Sequence, residues 1–150
     1  MASNLNLMQG YIRHPHDIPA QISLCSQATI SSNTANRSGK IGISVSTDNF
    51  YAIGTTLTIE ISVKDPGFRA SGHATWCIPE KNGRFRTGLV FDDPDTAYAV
   101  RMIEQICHIE QYRKEMEKME GRVLTPEDAA DEWINLFAKD FPELGPPIHS

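Results

Sequence analysis

The chain has 150 residues, 40% hydrophobic and 22% charged, with a formal net charge of −5. That length suits one domain able to bury a real core, and the acidic balance argues against broad binding to nucleic-acid polymers through phosphate neutralisation. A small anionic ligand remains compatible, because it needs only a local cationic cluster.

No apolar run is long enough to span a bilayer, so no membrane insertion is expected. Met1–Met8 has neither the basic region nor the apolar core of an export signal. Cys25, Cys77 and Cys107 are odd in number and widely spaced. They fit neither a disulfide framework nor a thiolate metal site, so free thiols in a reducing cytoplasm are expected.

Residues 1–10 read as a loose arm. The segment from Tyr11 to Pro19 holds Pro15 and Pro19, which restrict the backbone to extended conformations. Ile18, Ala20, Ile22 and Leu24 then alternate with polar residues as a first strand, placed at an edge by Pro19. Residues 27–37 are rich in Ser, Thr and Asn, a loop by composition. Ile41, Ile43 and Val45 mark a second strand, and Leu57, Ile59, Ile61 and Val63 a third. Asp65-Pro66-Gly67 is a turn by its own chemistry. Two further strands follow. Ala70, Gly72, Ala74, Trp76 and Ile78 are expected on one face of the fourth. Phe85, Thr87, Leu89 and Phe91 share one face of the fifth, after an Asn82-Gly83 turn. Five strands with short polar connections predict an antiparallel sheet curled into a small barrel.

After Phe91 the period changes. Asp92-Asp93-Pro94-Asp95 is helix-start chemistry. A long helix is expected, with a stripe at Tyr98, Met102, Ile106, Ile109, Tyr112, Met116 and Met119 and a stop at Gly121. Thr125-Pro126-Glu127-Asp128 starts a shorter helix whose apolar face holds Ala129, Ala130, Trp133, Ile134, Phe137 and Phe141. The domain reading is an arm at 1–10, a barrel with its closing helix at 11–120, and a helical extension at 121–150.

Gly72-His73-Ala74-Thr75-Trp76, a short turn, and Thr87-Gly88-Leu89-Val90-Phe91 together resemble the second half of a PilZ domain. The resemblance spans Tyr11 to Tyr112. It implies a PilZ-like small antiparallel β-barrel, mainly β with C-terminal helices, and a cytoplasmic cyclic di-GMP receptor or adaptor regulating motility, pili or surface polysaccharide. In that family the loop before the first strand carries two arginines spaced R-x-x-x-R, whose planar guanidinium forks grip phosphates and guanine edges. Here Arg13 stands with Gln9 four residues before it and Asp17 four after; a shifted reading puts the second position at His16.

The family's second motif, Asp/Asn-x-Ser-x-x-Gly, matches Asn36-Arg37-Ser38-Gly39-Lys40-Ile41-Gly42 with one residue too many. Anchoring on Gly42 puts Arg37 at the acidic position. Anchoring on Asn36 and Ser38 leaves Ile41 where Gly belongs. The ligand-binding residues implied by the resemblance are therefore Arg13, His14, His16, Arg37, Ser38 and Gly42, with weak or degenerate nucleotide binding. The alternative is a nucleotide-independent protein–protein adaptor on the same fold.

No Gly-x-Ser-x-Gly elbow, Cys-His framework or Gly-rich phosphate loop appears, so no catalytic residue is assigned. His14, His16 and Asp17 are close in sequence, but His73, Cys77 and His108 have no spacing that links them into a metal site, and none is assigned. Cyclic di-GMP is expected as a regulatory ligand rather than a cofactor. A protein partner and self-association are expected from the Met-rich and aromatic helical faces.

Overall fold

The computed structural model describes residues 10–25, 42–64 and 66–140. Six strands form one sheet: β1 (Tyr11–Arg13), β2 (Ala20–Leu24), β3 (Gly42–Thr47), β4 (Thr56–Ile61), β5 (Phe68–Pro79) and β6 (Phe85–Val90). Two helices follow, α1 (Pro94–Glu120) and α2 (Pro126–Phe137). The chain is thus mainly β with C-terminal helices.

The strand order is β1-β3-β6-β5-β4-β2. This corrects the expectation of a closed antiparallel barrel in two ways. Tyr11–Arg13, expected only as an extended segment, pairs with β3, and the pairing is parallel, so the sheet is mixed. The sheet is also open, with β1 and β2 as its two edges. Between these edges the chain turns at Pro15–Pro19, where two prolines remove the N–H donors that continued pairing would need. The edge position expected for β2 is observed.

The inner face carries Ile12, Ile43, Val45, Leu57, Ile59, Ile61, Leu89 and Phe91, packed against Val100, Ile103 and Cys107 of α1. In β5 the expected face is broken. The ladder to β6 pairs Ala74 with Leu89 and then Trp76 with Gly88, so Thr75 is an inserted residue. Such a bulge reverses the facing of everything beyond it. Ala70 and Ala74 remain in the core, whereas Trp76 turns to the outer face and meets the Tyr11 ring edge-on, with centroids 5.2 Å apart. A Cβ on Gly88 would collide with the Trp76 indole, which is the physical reason for glycine there. Asn82 and Gly83 have φ of 62° and 74°, as their turn chemistry predicts.

The stripe expected on α1 is also redistributed. The side facing the sheet is Val100, Ile103, Glu104, Cys107 and Gln111. Tyr98, Met102 and Ile106 are exposed, whereas Tyr112 and Met116 pack with α2 around Trp133. The caps are those expected: Asp93 accepts from the Thr96 N–H, Thr125 accepts from the Asp128 N–H, and Gly121 ends α1 at φ 68°. Phe141 lies outside the described residues.

No disulfide joins Cys25, Cys77 or Cys107 among the described residues, and Cys107 is buried. Its burial, reinforced by the Glu104 charge, pushes its thiol pKa well up. Alkylation without reductant should label all three after unfolding, while the native protein should protect Cys107. Fewer than three labels after unfolding would reveal a bridge.

Candidate functional site

The corner that follows β1 gathers every described residue of the expected site except Gly42. Pro15 ends the strand, and the chain folds back so that the Ile18 N–H reaches the Pro15 carbonyl at 3.3 Å. The His14 side chain then points inward. Its Nε2–H donates to the Ile18 carbonyl at 2.8 Å, and its Nδ1 meets Glu104 Oε2 at 2.6 Å. Both partners are buried, Glu104 completely. Burial works to lower the His14 pKa, but the hydrogen bond and charge of Glu104 outweigh it and leave the value raised.

Three more bonds fasten the corner to α1. His108 Nε2–H donates to the Arg13 carbonyl at 2.9 Å. The Asp17 N–H donates to Gln111 Oε1, and Gln111 Nε2–H donates to Asp17 Oδ2 at 3.0 Å. The Gln111 bond holds the Asp17 carboxyl below the usual range. Corner and helix are therefore hydrogen-bonded into one unit along two turns of α1.

Arg13 and His16 point outward instead, with side chains 61% and 79% exposed. The Arg13 guanidinium lies 3.9 Å from Glu80. Glu80 also accepts from Arg86 Nε at 2.8 Å and from the Ser46 hydroxyl at 3.1 Å. Arg86 is buried and donates further to the Ser44 carbonyl at 3.1 Å, while Arg84 donates to Ser46 and pairs with Asp48. Burial depresses Arg86 but leaves it a cation; its carboxylate partner Glu80, which burial alone would raise, is drawn below its usual range by Arg86.

Two clefts open on either side of the corner. One, of about 480 Å³, is walled by Arg13, His14, His16, His108, Trp133 and Phe137. The other, of about 360 Å³, is walled by His14, His16, Ile18, Ser46, Arg84 and Arg86. The second holds two arginines, each paired with a carboxylate at its border, Arg86 with Glu80 and Arg84 with Asp48. No family model, no curated protein and no solved structure matches this chain.

Of the expected ligand residues, Arg13, His14 and His16 come together at the corner, but His14 is spoken for by Glu104 and Ile18. Gly42 lies at the start of β3 beneath the Tyr11 ring, where a Cβ would strike the Leu89 carbonyl. Its smallness is required by strand packing. Arg37 and Ser38 lie outside the described residues.

Sequence reasoning missed Glu104, Gln111, Glu80, Arg84 and Arg86. A signal for the first two existed: Glu104 and Gln111 fall at helical spacing among Val100, Ile103 and Cys107, so they are polar groups on the buried face. No such signal existed for Arg86, whose partners depend on sheet register.

His14, Glu104 and Cys107 offer donor atoms all within 4.8 Å of one another. The donor set has metal-binding chemistry, but its arrangement is that of a charge pair. The His14 nitrogen facing the group is hydrogen-bonded to Glu104.

Proposed function

We propose that this chain is a PilZ-like signalling module that answers an anionic phosphodiester ligand, cyclic di-GMP by expectation, at the corner containing Arg13 and His16. The observation that carries the reading is the disposition of hydrogen-bond donors there. Arg13 and His16 stay exposed on a corner that is otherwise bonded down, and Arg84 and Arg86 flank the adjoining cleft. The adjacency of the Gly72–Trp76 and Thr87–Phe91 segments on neighbouring strands is further support. The reading extends to a receptor or adaptor regulating motility, pili or surface polysaccharide, with its signal passing from the corner to α1 through Glu104, His108 and Gln111.

A second reading, a nucleotide-independent adaptor, draws on Glu80. This carboxylate already engages Arg86 and lies beside Arg13, so a phosphate must displace it or share its partners. Calorimetric titration with cyclic di-GMP separates the two. Weak binding is expected. A hydrogen bond to a charged group contributes about 1.5–3 kcal/mol, so Arg13→Ala should weaken binding by ~10- to 100-fold. Arg84→Ala and Arg37→Ala should each weaken it by less. Binding that survives Arg13→Ala would place the site elsewhere, and no binding at high micromolar ligand would leave the adaptor reading standing.

A further inference from the structure

We infer that α1 pairs antiparallel with α1 of a second copy of this chain, through the Tyr98–Met102–Ile106 side that faces away from the sheet. These three residues are 55%, 40% and 39% exposed and recur every four positions, so they form one apolar row. The row continues the seam on which α2 packs: Ile109 and Met116, further along α1, are covered by the cluster around Trp133. The N-terminal half of the seam has no such cover among the described residues.

The occupant is argued from self-complementarity. An isologous contact requires each residue's counterpart to be its chemical complement. With the two-fold axis at the level of Glu104, Met102 meets the partner's Ile106, and Ile106 meets the partner's Met102. The same register sets Tyr98 against the partner's Glu110, a phenol facing a carboxylate. It sets Asp95 against the partner's Arg113, an acid facing a cation. Asp95 is exposed, and Arg113 lies on the same side of α1, bonded one turn back to Glu110 at 3.0 and 2.6 Å, a pair that the partner's Asp95 would join.

A parallel pairing in register would instead place like against like, Asp95 on Asp95 and Arg113 on Arg113. Size also fits. A helix of 27 residues is about 40 Å long. In the antiparallel arrangement the two apolar rows cover one another, with Tyr98 at each end of the contact.

The test is sedimentation of the full chain over a wide concentration range. A dimer is expected. Met102→Glu with Ile106→Glu should weaken it by ~10-fold or more, since it buries two like-charged rows, while the circular-dichroism melt at low concentration stays unchanged. Asp95→Arg alone should also weaken the dimer, and adding Arg113→Asp should restore it. That restoration keeps the test decisive even if the double-Glu variant folds poorly. A monomer at every concentration, a dimer indifferent to both glutamates, or a charge reversal that fails to restore association would each overturn the inference.

Discussion

Replacing Glu104 with alanine is expected to destabilise the protein by about 3–5 kcal/mol, the usual consequence of removing one partner from a buried ion pair. His14 would keep its bond to the Ile18 carbonyl but would face an apolar interior on its other side. For a chain of this size the loss corresponds to a fall of roughly 6–20 °C in Tm. Because the same pair ties the corner to α1, the loss should be accompanied by increased amide exchange at residues 13–18. A Glu104→Ala variant that melts with the wild type would show that the pair carries no net stability.

The pH dependence has a definite sign. The folded His14 pKa is raised above its ordinary value of 6.5. The folded state therefore holds the proton more tightly than the unfolded chain, and its stabilising contribution is complete below that value. It is lost as pH rises through the higher folded pKa. The Tm gap between wild type and Glu104→Ala should be wider near about pH 6 than near about pH 9. A gap that stays the same from about pH 6 to about pH 9 would mean that His14 is buried neutral.

Gly42→Ala is expected to be the second most damaging change, costing about 1–3 kcal/mol by overpacking. The added methyl would strike the Leu89 carbonyl, a backbone atom of the neighbouring strand, and the Tyr11 ring on the other strand. Neither strand has room to yield without parting β3 from β6, whose pairing of Ile43 with Leu89 spans the core. Gly88→Ala should cost less, because its collision is with the Trp76 side chain rather than with backbone. Denaturant melts of both variants test the order. If Gly42→Ala leaves stability intact and abolishes ligand binding, the glycine belongs to the ligand site and not to strand packing.

Much of the fold was legible in local chemistry. Alternation located four strands and most of a fifth, proline placed β2 at an edge, and Asp93, Thr125 and Gly121 marked the helix ends. These signals are local because turn residues and caps act within a few residues of themselves. The site was legible only as a corner: Arg13, His14 and His16 stood out together, but their roles did not. Whether a histidine faces ligand or core depends on what lies opposite, and Glu104 is 90 residues away.

By itself, then, the sequence determined a mainly β domain with two capped C-terminal helices, three thiols without a pairing pattern, and a proline-bounded corner carrying Arg13, His14 and His16. Only the tertiary structure decided the parallel seating of Tyr11–Arg13, the open sheet, and the bulge at Thr75 that turns Trp76 outward. It also decided which side of α1 is buried. Two apolar rows run along that helix, and periodicity weighs them alike. The sheet takes the row interrupted by Glu104 and Gln111, because those two groups find His14 and Asp17 beneath them. A buried polar group is tolerated only where its partner already waits, and that partner belongs to the fold.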